Sequence, residues 1–330
     1  MPTSALIDQF DRAITYVRLS VTDRCDFRCV YCMAEKMTFK PRNELLTLEE
    51  LCTVGQAFSE LGVNKIRITG GEPLVRKNIM HVFDALGRLP TVDDLTLTTN
   101  GSHLHDVAHS LAACGVKRVN VSLDSLNKDA FKRITRVGDL DTVLTGLHTA
   151  KQAGLHVKLN SVILRHQNLN QVKPLCDYAI ENGFDISFIE EMPLGDVTSH
   201  SRAKEFISSE ELRDYLSGFY SLKPSTHTTH GPSKYWSVAH SHTRIGFISP
   251  HSQNFCEQCN RVRVTATGQL LLCLGNEHSV DLKHVLRNTT QPLDALKNTI
   301  VEAMAIKPLK HEFNLNNTPD IVRFMNTTGG

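Results

Sequence analysis

Short runs rich in β-branched residues alternate with amphipathic stretches from residue 14 to residue 190, and this alternation restricts the possible folds more than any other feature of the chain. Such alternation is typical of parallel strands joined by right-handed helical crossovers. The sequence therefore predicts an α/β fold with six units, a partial TIM barrel, and leaves an open doubly wound sheet as the alternative. The predicted strands cover residues 14–20, 65–69, 95–98, 119–122, 157–164 and 186–190.

Amphipathic segments between these strands predict the helices of the barrel. They cover residues 47–61, 79–89, 103–114, 141–153 and 169–182. Thr47 and Glu50 have the spacing of a capping box at the start of the first helix.

The character of the chain changes after about residue 225. Residues 225–243 are rich in Ser, Thr, His, Gly and Pro, which indicates a long loop or a domain junction. A β-rich segment at 245–274 and two helices near 282–286 and 293–304 follow. We therefore expect two domains: residues 1–225 form the barrel, and residues 226–330 form an α+β extension.

Charge and hydropathy exclude several kinds of partner. The 330 residues carry a formal net charge of +1, which gives no sign of a nucleic-acid or membrane partner. No apolar run approaches the 18 residues typical of a membrane span, and the first residues lack the features of a signal peptide. We expect a cytoplasmic protein.

The first group of cysteines follows the first predicted strand. Cys25, Cys29 and Cys32 have the spacing C-x3-C-x2-C, and clustered cysteines in an intracellular chain are metal ligands or redox groups more often than disulfides. Ferredoxin-type clusters and structural zinc sites take four protein ligands, whereas this loop offers three. The spacing therefore predicts an iron–sulfur cluster with one open iron, and a zinc site completed by a distant residue is the alternative.

The second group comprises Cys256, Cys259 and Cys273, with the spacing C-x2-C-x13-C. The intervening residues predict a hairpin that turns at Thr267-Gly268, in which paired residue numbers add up to roughly 535. This pairing brings Cys273 close to Cys259, so we expect a second three-cysteine site with an open position.

Two arginines accompany the second group. Arg261 and Arg263 are two residues apart on a predicted strand, so both point to one face. Two guanidinium groups beside a metal site suit an anion or a nucleotide. A solvated arginine pair at a sheet edge is the alternative.

Three motifs carry a resemblance to known proteins. Residues 18–32, R-L-S-V-T-D-R-C-D-F-R-C-V-Y-C, resemble the signature of the radical S-adenosylmethionine superfamily. Residues 66–73, I-R-I-T-G-G-E-P, resemble the glycine-rich motif that this superfamily uses for the methionine end of its cofactor. The later C-x2-C-N-R-x-R-x9-C is similar to the GTP 3′,8-cyclase family of molybdenum cofactor biosynthesis, and this resemblance extends from about residue 12 to the terminal Gly-Gly pair.

The resemblance implies a fold and a reaction. The fold would be a six-unit partial barrel whose mouth is covered by the carboxyl-terminal extension, with a Gly-Gly tail that reaches the active site. Two [4Fe-4S] clusters and S-adenosylmethionine would be the cofactors, and a 5′-deoxyadenosyl radical would convert GTP to (8S)-3′,8-cyclo-7,8-dihydroguanosine 5′-triphosphate. The implied partners are an external electron donor and cyclic pyranopterin monophosphate synthase downstream, and a homodimer is compatible with the resemblance.

The resemblance also implies the roles of individual residues. The first cluster would be held by Cys25, Cys29 and Cys32, and the second by Cys256, Cys259 and Cys273. The resemblance assigns contacts with S-adenosylmethionine to Tyr31, Gly71, Ser122 and Met192. Contacts with GTP fall to Arg18, Arg67, Thr98, Lys158, Arg261, Val262 and Arg263. No side chain receives a catalytic role, because the bound cofactor supplies the radical.

Two other functions remain open from the sequence. One is a different radical enzyme with an auxiliary cluster, such as a peptide-modifying maturase, although such enzymes usually carry more carboxyl-terminal cysteines than these three. The other is a zinc-stabilised binding protein without catalysis.

Overall fold

A computed structural model describes residues 5–195, 197, 199–253, 255–311, 313 and 321–329. Its strands are β1 (Tyr16–Ser20), β2 (Lys65–Thr69), β3 (Asp94–Thr99), β4 (Arg118–Ser122), β5 (His156–Val162), β6 (Asp185–Ile189), β7 (Leu222–Pro224), β8 (Lys234–Val238), β9 (Arg244–Ile248), β10 (Arg261–Val264), β11 (Gln269–Leu271) and β12 (Ser279–Asp281). These strands form one sheet in the order β12-β11-β10-β1-β2-β3-β4-β5-β6-β9-β8-β7.

The first six strands are all parallel and follow one another in chain order across the sheet. A doubly wound sheet would instead reverse its strand order at a switch point. The predicted six-unit partial barrel is therefore confirmed. The alternative, an open doubly wound sheet, is excluded.

Helices cover the outside of the barrel. Those of the described residues are α1 (Leu48–Glu60), α2 (Met80–Gly87), α3 (Leu104–Ala113), α4 (Lys128–Thr135), α5 (Leu140–Gln152), α6 (Val172–Asn182), α7 (Arg202–Glu205), α8 (Ser209–Ser217), α9 (Leu282–Arg287), α10 (Pro292–Ala303) and α11 (Met325–Thr328). The capping box of Thr47 and Glu50 is confirmed at the start of α1. Helix α4 was not predicted, because it is short and directly precedes the longer α5. Among the described residues, no helix combines the length and the apolar character that a membrane crossing requires.

Each barrel strand has one apolar and one polar face. On β2, Ile66 and Ile68 are buried in the hydrophobic core under the helices, whereas Lys65, Arg67 and Thr69 alternate with them. Because successive side chains of a strand point to opposite faces, these polar residues face the lumen of the barrel. A polar lumen predicts a binding site inside the barrel.

The carboxyl-terminal strands continue the same sheet at both edges. Strand β10 pairs in parallel with β1, and β9 pairs in parallel with β6. The predicted hairpin is confirmed, since β10 and β11 are antiparallel and pair Arg263 with Leu271, within one residue of the predicted register. The division of the chain into domains at residue 225 stays a prediction.

Candidate active site

The loop after β1 brings the first three cysteines to a cavity at the carboxyl ends of the barrel strands. The cavity has an empty volume of about 1120 Å³. Its lining includes all three cysteines and all four residues that the resemblance assigns to the cofactor: Cys25, Cys29, Cys32, Tyr31, Gly71, Ser122 and Met192. Residues from four separate strand ends therefore meet in one place, as expected for a barrel active site.

The two glycines after β2 pack directly against the cysteine loop. A Cβ atom at Gly71 would lie 2.3 Å from the carbonyl oxygen of Arg24. The Gly71 N–H donates to the carbonyl oxygen of Thr22 at 2.7 Å, and the Glu72 N–H donates to that of Arg24 at 2.8 Å. Glycine is thus required here by the close approach of two backbones, in addition to any approach of a ligand.

Tyr31 is fixed by a carboxylate that received no role from the sequence. Its hydroxyl donates to Asp124 Oδ2 at 2.8 Å, and the Val162 N–H donates to Asp124 Oδ1 at 2.8 Å. Burial raises the pKa of Asp124 to about 6. Asp124 follows β4 in the chain, and only its position after a strand could have indicated a role.

Glu72 is a second buried carboxylate beside the first cysteine site. It accepts hydrogen bonds from the Asn100 N–H at 2.6 Å and from the Thr99 hydroxyl at 2.9 Å. Burial raises the pKa of Glu72 to about 8 in spite of these donors. The same Asn100 donates through its side chain to Asp26 at 2.7 Å, so a network of carboxylates surrounds the loop.

The first three thiols fit a cluster that is bound at three corners. They are free cysteines, and burial raises the pKa of each, that of Cys32 to about 12. Bound iron would displace these protons, because the thiolate is the ligand. No three His, Cys, Asp or Glu side chains of the described residues converge on a single metal ion. Thiolates that bind different irons of a cubane do not need to converge in this way.

The second cysteine site lies at the β10–β11 hairpin. Its cavity, with an empty volume of about 610 Å³, is lined by Cys256, Cys259 and Cys273 together with Arg261, Val262 and Arg263. The side chain of Val262 belongs to the hydrophobic core, so only its backbone is available to a ligand. Met192 lines this cavity as well as the first one, so the two cavities adjoin at that residue.

A buried lysine that the sequence analysis missed stands beside the second site. Lys307 is 1% exposed, and its Nζ lies 3.8 Å from Cys259 Sγ and donates to the Leu272 carbonyl oxygen at 2.7 Å. Burial raises the pKa of Cys259, but the charges of Arg261 and Lys307 outweigh it and lower the pKa below its ordinary value. No local pattern around residue 307 indicates this position.

Three arginines form a row across the lumen. Strand register pairs Arg18 with Arg263 on one side and with Arg67 on the other. Like charges on neighbouring strands destabilise a sheet, so such a row indicates an anion site. Burial lowers the pKa of Arg67 to about 10 and that of Arg263 to about 9, and one terminal nitrogen of Arg263 has no hydrogen-bond partner.

Lys158 and Thr98 face the same lumen from β5 and β3. Lys158 is buried, and its Nζ donates to the Tyr235 hydroxyl at 2.6 Å. Burial lowers the pKa of Lys158. The Thr98 hydroxyl is buried without a hydrogen-bond partner. Tyr235 received no role from the sequence, and it lies in the segment 225–243 that is rich in Ser, Thr, His, Gly and Pro.

The carboxyl-terminal tail enters the barrel. Arg18 Nη2 donates to the Gly329 carbonyl oxygen at 3.0 Å, and Asn326 Nδ2 donates to the Asp23 carbonyl oxygen at 2.8 Å. Gly329 has a φ of +78°, and a Cβ atom there would lie 2.4 Å from Thr69 Cγ2. Gly330, the other residue of the predicted tail, lies outside the described residues.

Comparison with known proteins decides the family. Residues 19–179 match the model of the radical SAM superfamily, and residues 184–313 match the model called Molybdenum Cofactor Synthesis C. The GTP 3′,8-cyclase of Saccharophagus degradans is 58% identical, and those of Pseudomonas fluorescens and Marinobacter nauticus are 52% and 51% identical, each over the full length of both chains. The chain belongs to the GTP 3′,8-cyclase family. Membership of the radical SAM superfamily implies a [4Fe-4S] cluster and S-adenosylmethionine, and the relatives support the nucleotide reaction over the peptide-modifying alternative.

Solved structures agree with the barrel. The crystal structure of SuiB from Streptococcus suis has a TM-score of 0.62 and 16% identity, and the match covers 91% of this chain and 68% of SuiB. SuiB bound to S-adenosylmethionine has a TM-score of 0.59, with coverage of 88% and 69%. At such identities the likeness shows the fold alone.

Proposed function

We propose that this member of the GTP 3′,8-cyclase family binds GTP in the barrel lumen, between the two cysteine sites, and converts it to (8S)-3′,8-cyclo-7,8-dihydroguanosine 5′-triphosphate. The observation that carries the proposal is the contact of the two cavities at Met192, with the arginine row alongside. A nucleotide in this space would meet both metal sites at once.

The first site holds the cofactor. Cys25, Cys29 and Cys32 bind a [4Fe-4S] cluster, and Tyr31, Gly71, Ser122 and Met192 contact S-adenosylmethionine, a division supported by their shared cavity. When bound, the cluster and S-adenosylmethionine supply an electron and the 5′-deoxyadenosyl radical. Asp124 orients Tyr31 through the hydrogen bond from its hydroxyl.

The second site holds the base of the substrate. Cys256, Cys259 and Cys273 would hold a second [4Fe-4S] cluster, and the guanine of GTP would bind beside it. Arg18, Arg67, Arg263 and Lys158 bind the triphosphate, because guanidinium and ammonium groups pair well with phosphate oxygens. The backbone at Val262, the Arg261 side chain and the Thr98 hydroxyl complete the site, and their cavity positions and free polar atoms support this assignment.

The reaction needs partners outside the chain. Cleavage of the cofactor consumes one electron, and quenching of the cyclised nucleotide radical consumes another electron and a proton. The reaction therefore requires an external electron donor. The cyclised nucleotide then passes to cyclic pyranopterin monophosphate synthase.

One experiment tests the substrate and the number of clusters. Anaerobically reconstituted protein is analysed for iron and sulfide and is then incubated with GTP, dithionite and S-adenosylmethionine. We expect about eight irons and eight sulfides per chain for two cubanes, and a cyclised nucleotide whose formation accompanies 5′-deoxyadenosine. An equal yield of 5′-deoxyadenosine with and without GTP, together with no cyclised nucleotide, would show that the assignment of GTP as the substrate is wrong. A content of about four irons per chain would show that the second cluster is absent. Zinc without sulfide would favour the binding-protein alternative.

A further inference from the structure

Arg118 is a buried arginine at the start of β4 that has no role so far. The residue is 8% exposed, and its Nε and Nη2 atoms have no hydrogen-bond partner among the described residues. Its Nη2 lies 3.6 Å from Asp94 Oδ2, and the same oxygen forms an ion pair with Lys65 Nζ at 2.6 Å. Buried N–H groups without acceptors are unfavourable, so the free donors of Arg118 indicate a ligand.

Strand register places Arg118 at the end of the arginine row. Thr96 pairs with Arg67 on one side and with Arg118 on the other. Corresponding positions on five neighbouring strands therefore hold Arg263, Arg18, Arg67, Thr96 and Arg118. Burial lowers the pKa values of Arg67 and Lys158, and the charge of Arg118 contributes to both, which places its guanidinium in the same cluster of cations.

The direction of this row suggests which part of a nucleotide Arg118 would meet. The row begins on β10, beside the second cysteine site, and runs across four more strands, each roughly 4.8 Å from its neighbour. With guanine at the cysteines, the triphosphate extends along the row away from β10. The far end, at Arg118, corresponds to the phosphate most distant from the base.

We propose that Arg118 binds the γ-phosphate of the nucleotide and gives the site its preference for a triphosphate over a diphosphate or monophosphate. This inference rests on the proposed function, because it requires GTP in the lumen with its guanine at the second cysteine site. The two nitrogens without hydrogen-bond partners supply donors for one phosphate group, which a guanidinium binds in a bidentate manner.

Binding of GTP, GDP and GMP to the reconstituted full-length protein tests the proposal. Arg118→Gln weakens binding of GTP by roughly ten- to a hundredfold, the loss expected for hydrogen bonds to a charged group, and leaves GDP and GMP unchanged. The matched control is Arg88→Gln, at an exposed arginine directly after α2 that pairs with Asp84, and it changes none of the three affinities. Equal weakening of all three nucleotides by Arg118→Gln, or no weakening, overturns the proposal. A wild-type protein that does not bind GTP overturns the proposed function itself.

Asp94→Asn separates nucleotide binding from a purely structural role of Arg118. If Arg118 served only as a partner of Asp94, both variants would lower the melting temperature and would weaken all nucleotides alike. We expect instead that Asp94→Asn binds GTP at least as tightly as the wild type, because a negative charge leaves the row. Arg118→Lys keeps the positive charge and recovers part of the GTP preference, and it carries the comparison if Arg118→Gln does not fold. No recovery in Arg118→Lys contradicts the proposal.

Discussion

The two cysteine sites have the same number of thiols but opposite electrostatic surroundings. At the first site, the carboxylate of Asp124 acts with burial to keep the thiol pKa values of Cys29 and Cys32 high. At the second site, the cations Arg261 and Lys307 lower the pKa of Cys259 in spite of its burial. The difference matches the ligands that we propose, since S-adenosylmethionine carries a positive sulfonium and GTP carries a negative triphosphate.

The surroundings also bear on electron transfer. Negative groups beside a cluster disfavour its reduction, and positive groups favour it. The first cluster should therefore be the stronger electron donor and the second the easier one to reduce. Three tests address this contrast, and the largest effect is expected when one site loses its metal.

Removal of one cysteine from each site should separate the two functions. Cys29→Ala abolishes formation of both 5′-deoxyadenosine and cyclised nucleotide, because the first cluster is lost. Cys273→Ala leaves cofactor cleavage in place but abolishes cyclisation. Both products are measured by chromatography after anaerobic incubation, and a normal yield of cyclised nucleotide from Cys273→Ala would contradict two separate roles.

Lys307→Met should shift the reduction potential of the second cluster only. The buried ammonium favours the more negative reduced state, so its removal makes that potential more negative. An electron-resonance redox titration measures both clusters in one sample. Lys297→Met, at a lysine that pairs with Glu60 on the protein surface, is the control and leaves both potentials unchanged. A shift of the first cluster in Lys307→Met would argue against a local effect.

Glu72→Gln should change how stability depends on pH, and this is the smallest of the three effects. Burial raises the pKa of Glu72 from 4.5 to about 8, so the folded chain retains a proton that the unfolded chain releases. The free energy of unfolding therefore falls as pH rises between these values, by at most about 1.4 kcal/mol per pH unit. The variant removes this part of the slope, whereas Glu210→Gln at an exposed position does not. Urea unfolding of the metal-free chain across this range measures it, and an unchanged slope in Glu72→Gln would show that the carboxylate is already ionised.

The sequence by itself determined the features that depend on neighbours in the chain. Runs of β-branched residues between amphipathic stretches located the six strands, and the spacing of Cys25, Cys29 and Cys32 predicts a three-point metal loop. The Thr267-Gly268 turn fixed the hairpin register to within one residue. Each of these depends on backbone geometry over a few residues, which a sequence pattern records directly.

Only the tertiary structure revealed the partners that surround those motifs. Lys307 lies beside Cys259 across 48 residues of chain, and Lys158 donates to Tyr235 across 77. Arg118 joins the arginine row because β4 is in register with β3, and β10 adds to it by pairing with β1. Strand register and the tertiary packing of the chain set these distances, and no local periodicity encodes which distant side chains will meet.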